Sequence, residues 1–177
     1  LDIPMRSLDY TPPMYARGKI SASQPKRGEA DVFLRMIQSE LKPLLQQQYR
    51  LQADKATLIG HSYGGVLALY ALLQHPNDFS HYVISSPSMW WNEGALQTLP
   101  DSYLQPLLKS KHNKFVRISV GEYEQTASPY VAMNGERAKI LAEKQMVDKV
   151  DAMAKRLQAL PNKHLRVESQ HYPAETH

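Results

Sequence analysis

The chain has 177 residues, enough for one domain with a sizeable core, and its 21 Lys and Arg against 17 Asp and Glu leave a formal charge of only +4. That mild excess, with no block of like charge, argues against nucleic acid as a partner, and zero cysteines exclude a disulfide framework, a thiolate metal site and a cysteine nucleophile. No apolar run approaches the roughly 18 residues of a membrane span, and the first residues lack the basic-then-apolar shape of a signal peptide, so no membrane partner is expected.

Residues 1–28 contain Pro4, Pro12, Pro13 and Pro25 without a sustained period and read as an extended surface segment or long loop. From Glu29, the apolar positions Val32, Phe33, Met36, Ile37, Leu41, Leu44 and Leu45 follow helical spacing, and Pro43 is expected to kink or end that helix. Residues 56–59 form a short apolar run suited to a buried strand, and residues 63–74 carry a strong helical pattern closed by His75-Pro76. Residues 82–85 and 115–120 are the next strands, separated by a Pro- and Trp-rich loop and a weaker helical stretch at 103–109. Residues 134–160 read as one long amphipathic helix with Ile140, Leu141, Val147, Val150, Met153 and Leu157 on one side. Residues 164–170 supply a fourth strand, followed by "HYPAETH". No repeat, low-complexity tract or linker divides residues 1–177, which are expected to form a single domain.

Strands alternating with helices predict an α/β fold with a mostly parallel sheet, right-handed crossovers and helices on both faces. In such sheets ligands bind beyond the carboxyl ends of the strands. The residues in those places are Gly60, His61 and Ser62, then Ser85 to Asn92, then Gly121 to Thr126, then His171 to His177. Reactive side-chain types therefore recur at one rim.

The stretch "TLIGHSYGGVLALYALLQHP" places Ser62 in a G-x-S-x-G motif between a predicted strand and a predicted helix. A serine hydroxyl attacks a carbonyl only when a base takes its proton and the developing charge is stabilised. A sharp strand-to-helix turn supplies the geometry, because it lifts the hydroxyl out of the sheet while Gly60 and Gly64 leave room for the strained backbone. The helix after the turn points its free N–H groups at the reaction centre, and the backbone N–H of Tyr63 is expected to serve as one oxyanion donor. The motif alone is expected by chance about 0.06 times in a chain of this length, and the strand before it with the helix after it is the context the mechanism requires. A plain glycine-rich turn with a capping serine is the alternative.

The base is expected among the later histidines, in the order Ser, acid, His. His61 adjoins the nucleophile and should point away, while His75, His81, His112 and His164 lie at predicted helix ends or strand starts. His177 lies far enough past the last strand to turn back over Ser62 and is preferred to His171, which stays close to the strand end. For the acid, Glu122 and Glu124 both follow the third strand in "VGEYEQ", with Glu124 preferred because it lies further along the loop.

In order along the chain, "GEADVFLRMIQSELKPLLQQQYR", "TLIGHSYGGVLALYALLQHP", "SSPSMWWNEGAL", "VGEYEQ" and "YPAETH" resemble the putative-esterase branch of the α/β-hydrolases. The likeness, from about Arg6 to His177, is to the IroE-like serine hydrolases related to ferric enterobactin esterases. It implies the α/β-hydrolase fold, Ser62 as nucleophile and His177 as general base. Close siderophore-esterase relatives can work with a serine-histidine dyad, so the resemblance leaves Glu124 between orienting acid and structural residue. It also implies a pocket wall at Trp90 and Trp91, although adjacent indoles commonly bury at least one ring in the core. Arg6, in the segment "RSLDYTPP", is expected either to meet an anionic group of the ligand or to remain a surface arginine.

Family members continue upstream with further strands, including the loop that gives a second oxyanion donor, and downstream with a final helix after the histidine. Residues 1–177 are therefore expected to be the C-terminal part of the domain, an incomplete fragment whose Ser62 strand lies at or near a sheet edge. The resulting expectation is a serine esterase that hydrolyses small-molecule carboxylic esters through an acyl-enzyme, without metal or organic cofactor. A catecholate siderophore trilactone is the substrate the resemblance suggests, while small acyl esters, thioesters and sugar esters suit the residues equally. The resemblance leaves the compartment between bacterial cytoplasm and periplasm, and the oligomeric state open. The alternative is a catalytically silent α/β-hydrolase-like binding domain.

Overall fold

Residues 3–13, 28–52, 54–129 and 135–176 are described by the computed structural model of the protein. Four strands, β1 (Thr57–His61), β2 (His81–Ser85), β3 (Lys114–Gly121) and β4 (Leu165–Tyr172), form one all-parallel sheet in the spatial order β1-β2-β3-β4. The helices in chain order are α1 (Ile3–Tyr10), α2 (Ala30–Met36), α3 (Lys42–Gln48), α4 (Tyr63–Gln74), a one-turn α5 (Trp91–Gly94), α6 (Gln105–Lys109), α7 (Gly135–Lys144) and α8 (Met146–Gln158). The strand ends are level: His61 pairs with Ser85, Ser85 with Ser119, and Gly121 with Tyr172. The segments leaving the four strands therefore emerge at one rim.

Alternation along the strands divides the sheet into two unlike faces. Tyr82 and Ile84 of β2 and Val116, Ile118 and Val120 of β3 are buried in a single core cluster. That cluster also holds the α4 residues Val66 to Leu73 and the α8 residues Met146, Val150, Met153, Ala154 and Leu157. Both crossover helices thus cover the same face, as right-handed connections require when every step along the sheet runs the same way. The opposite face presents Ile59, His81, Val83, Arg117 and Arg166, and Ile59 is 72% exposed. The expected second helical layer does not occur among the described residues. No described helix is long and apolar enough to cross a membrane.

Several local expectations need correction. Residues 3–10 form helix α1 rather than loop, packed on α2 and α4, while residues 14–27 lie outside the described set. Pro43 does not end its helix: α2 runs into α3 through a π turn at Ile37–Leu41. That wider turn sits immediately before Lys42-Pro43, where a proline without an N–H and with a ring bulk would otherwise meet the preceding turn. The long helix expected at 134–160 is two, broken at Gln145, whose φ of 49° is left-handed. Gln125 holds the break, because its side chain accepts the Asp148 N–H at 3.0 Å and donates to the Asp148 carboxylate at 2.7 Å. Helix α7 consequently buries no residue, and Ile140 is exposed.

The two faces predict unequal responses to truncation. Ile84 is 0% exposed in the middle of the sheet, so Ile84→Ala should cost about 2–5 kcal/mol in urea unfolding. Ile59→Ala on the open face should cost less than about 1 kcal/mol in the same chain. Equal losses at the two positions would mean that the face carrying Ile59 is covered.

Candidate active site

Ser62 stands between β1 and α4 with φ 59° and ψ −120°, a region that L-residues other than glycine rarely occupy. Such a conformation costs about 1–3 kcal/mol and persists only where the surroundings impose it. Here its N–H donates to the Ser85 carbonyl at 3.2 Å, and its carbonyl accepts the N–H groups of Val66 at 3.1 Å and Ser88 at 3.2 Å. The backbone of the elbow is thus tied to the loop after β2. With its carbonyl already in the first helical hydrogen bond, the N–H groups that open α4, beginning with Tyr63, have no intrahelical acceptor.

The glycines have roles that spacing alone did not separate. A Cβ on Gly60 would lie 1.9 Å from the Gly64 carbonyl oxygen, and one on Gly65 would lie 2.8 Å from the Pro87 Cα. Gly64 has nothing within 4 Å of such an atom. Gly60 therefore lets the first helical turn close onto the strand, and Gly65 lets the helix approach the loop after β2. Gly64, the second glycine of the motif, faces open space among the described residues.

After β3 the chain makes a 3₁₀ turn at Glu122–Glu124. Glu124 is 2% exposed, and its Oε1 accepts the Gly121 N–H at 2.7 Å and the Ser86 hydroxyl at 2.5 Å. Glu122 is exposed, and its Oε2 accepts the Ala174 N–H at 2.9 Å. The Tyr123 N–H donates to the Glu175 carbonyl at 2.9 Å. The two glutamates of "GEYE" are therefore separated by burial: Glu124 lies inside the rim, and Glu122 fastens the segment that leaves β4.

That segment bears on the histidines. The fourth strand extends to Tyr172, so His171 lies within it rather than after it, and its Nε2 meets the Asp151 carboxylate at 2.7 Å. His75 pairs with Asp31 at 2.9 Å beyond the far end of α4, roughly 18 Å of helix from Ser62. Burial pushes the Asp31 carboxyl upward, yet hydrogen bonds from Tyr70 and His75 and the charges of His75 and Arg35 hold it below its ordinary value. His81 bonds Ser80 and His164 bonds Asn113. His177 lies outside the described residues.

The aromatic expectations divide likewise. Trp91 is 9% exposed and belongs to the core cluster. The turn Asn92-Glu93-Gly94, all at positive φ, comes directly after it, and the Trp91 N–H is held by the Ser88 carbonyl at 2.9 Å. Trp90 is half-buried, with its ring centroid 5.9 Å from that of Tyr63. The Arg6 guanidinium lies 5.5 Å from the Tyr63 ring centroid, and the Lys144 ammonium lies 4.6 Å from that of Trp90. Arg6, Tyr63, Trp90 and Lys144 form a cation–aromatic ladder beside the helix that begins at the elbow. The sequence placed Ser86 and Ser88 at the rim only as part of Ser85 to Asn92 and did not indicate Lys144, because each contact runs to a neighbour distant in the chain. Among the described residues, no group of His, Asp and Glu is arranged to hold a metal ion.

A model of the putative esterase family matches residues 7–171. The siderophore triacetylfusarinine C esterase of Aspergillus fumigatus is 35% identical over 127 residues, covering 70% of this chain and 41% of its own length. The siderophore enterobactin esterase of Emericella nidulans is 35% identical over 130 residues, covering 69% of this chain and 43% of its own. Among solved structures, the siderophore hydrolase EstA from Aspergillus nidulans superposes with a TM-score of 0.83 at 29% identity, over 98% of this chain and 61% of EstA. The chain thus spans under half the length of these curated relatives.

The cramped glycines make a test of the elbow. Gly60→Ala should lower unfolding stability by about 3 kcal/mol or more, since the clash is with backbone. Gly64→Ala, in a helix with open space, should be neutral or stabilising by up to about 1 kcal/mol in the same urea titration.

Proposed function

Because this chain belongs to the putative esterase family, we propose that it carries the nucleophile, base and acid of a serine carboxylic ester hydrolase acting on a siderophore ester. The observation that carries the reading is the strained Ser62, held at the rim between the N-terminus of α4 and the buried Glu124 turn. In this mechanism Ser62 Oγ attacks the ester carbonyl as its proton passes to His177. The Tyr63 N–H stabilises the oxyanion, and the tetrahedral intermediate collapses as the leaving alkoxide takes the proton from His177. Water, deprotonated by the same imidazole, then attacks the acyl-enzyme; the acid leaves and Ser62 regains its proton. Glu124 is the carboxylate that orients the base.

Distance supports His177 over His171. Three strand spacings separate β4 from β1, about 14 Å, and His171 is fixed within β4. The five residues after Tyr172 can extend about 17 Å, enough to return along the rim. Residues 174 and 175 already turn that way, onto the Glu122–Glu124 turn.

The two curated relatives are named for different siderophores, so identity does not choose a substrate. The Arg6-Tyr63-Trp90-Lys144 ladder offers stacking surface and positive charge together, which suits an anionic aromatic substrate such as a catecholate siderophore trilactone. The mechanism also needs a second oxyanion donor beside the Tyr63 N–H, and β1 is the end strand of the sheet among the described residues.

Three measurements test this reading. An organophosphonate should label Ser62 stoichiometrically; a folded full-length chain that resists labelling would instead be a silent binding domain. His177→Ala should lower ester turnover by several orders of magnitude, and Glu124→Gln by less, with the fold preserved in circular dichroism. If Glu122→Gln is damaging and Glu124→Gln silent, the acid has been misassigned. Turnover by residues 1–177 alone should fall below that of a longer chain by roughly 10²–10³-fold, the effect of one missing oxyanion donor.

A further inference from the structure

The four residues Ser85-Ser86-Pro87-Ser88 touch both ends of the proposed machinery. The Ser85 carbonyl accepts the Ser62 N–H, the Ser86 hydroxyl donates to Glu124 Oε1, and the Ser88 N–H donates to the Ser62 carbonyl. The Ser88 hydroxyl lies 3.2 Å from Ser62 Oγ. Ser88 is 1% exposed, so its hydroxyl cannot turn to bulk water and is committed to the interior of the elbow.

A serine poised to lose its proton needs its own hydrogen directed at the base, which leaves its oxygen lone pairs as acceptors. From this geometry we infer that Ser88 is a positioning residue for the reaction, whose hydroxyl donates to Ser62 Oγ and fixes the nucleophile's rotamer. The inference rests on Ser62 being the nucleophile, as proposed above. The donor has its greatest effect when Ser62 Oγ carries developing charge, and that happens twice: as its proton leaves during attack, and as the acyl–oxygen bond breaks in deacylation. In the acyl-enzyme between them the same oxygen is an ester oxygen, a poorer acceptor. Ser88 thus acts on both chemical steps and not on ground-state binding, because its buried hydroxyl is committed to the nucleophile.

Two substitutions in the full-length chain isolate the hydroxyl. Ser88→Ala removes it, and Ser88→Cys removes the strong donor while keeping the volume filled. Both should lower kcat about tenfold, the value of one hydrogen bond to a charged group, with KM within about twofold of the unsubstituted protein. The second-order rate of Ser62 phosphonylation by the organophosphonate should fall by the same factor, with unfolding midpoints unchanged. If Ser88→Ala disturbs the fold, the cysteine variant decides. Full kcat and full labelling rate in a folded variant would overturn the inference, as would a rise in KM at constant kcat. Ser62→Ala separates the two levels: if it keeps wild-type turnover, Ser62 is not the nucleophile and the proposed mechanism itself fails. If it is inactive while the Ser88 variants are not, only the role of Ser88 fails.

Discussion

Everything at the rim depends on keeping one non-glycine residue at φ 59°. Left to itself, Ser62 would relax into ordinary helical or extended backbone, carrying its hydroxyl away from the mouth of the sheet. It is prevented from both sides. The strand below it closes against the first turn of α4 only because Gly60 has no side chain, and the loop after β2 grips its N–H and carbonyl. Parallel pairing of β1 with β2 is therefore a requirement of the chemistry as well as of the fold, since it places Ser85 level with His61 and brings the gripping loop to the elbow.

The same register logic continues across the sheet. Ser85 pairs with Ser119, which puts Ser86 beside the turn that carries Glu124; Gly121 pairs with Tyr172, which puts the tail of β4 over that turn. Three loops distant in sequence are joined by short polar contacts at one edge of a rigid sheet. In the proposed mechanism the orienting acid needs burial to keep its hydrogen bonds out of competition with water, and the segment that leaves β4 needs only to be steered. Glu124 at 2% exposure and the exposed Glu122 on the Ala174 N–H divide those tasks.

How much of this could be read from the chain depends on how local each signal is. The elbow, the four strands, α4 and the shared rim were legible, because alternation, helical spacing and G-x-S-x-G are short-range patterns. Pro43 misled because a π turn can absorb it, and the break at Gln145 was hidden because the apolar spacing on either side suits one helix. What fixes that break is Gln125, bonded to Asp148 twenty-three residues further along the chain. The motif's glycine pattern drew attention to Gly64, whereas Gly65 is the residue pressed against Pro87, a contact that no spacing within the motif encodes. Trp90 and Trp91 are equivalent as letters, yet Trp91 is buried in the core while Trp90 is only half-buried beside Tyr63.

Among the described residues, the exposed face and the unpaired edge of the sheet meet at β1, directly beneath Ser62. Ile59 points away from the core and is largely bare, yet the neighbouring Gly60 is buried against α4, so the elbow takes its shape from the covered face alone. Holding the serine and stabilising the oxyanion are thus tasks of different parts of the molecule. The first uses β2, its loop and α4, all within the described residues. The second uses the N-terminus of α4 and, in the proposed mechanism, one further donor that the contacts holding Ser62 do not supply. A chain can consequently hold Ser62 in its reactive conformation while lacking most of its rate, because conformational strain and transition-state charge are met by separate contacts.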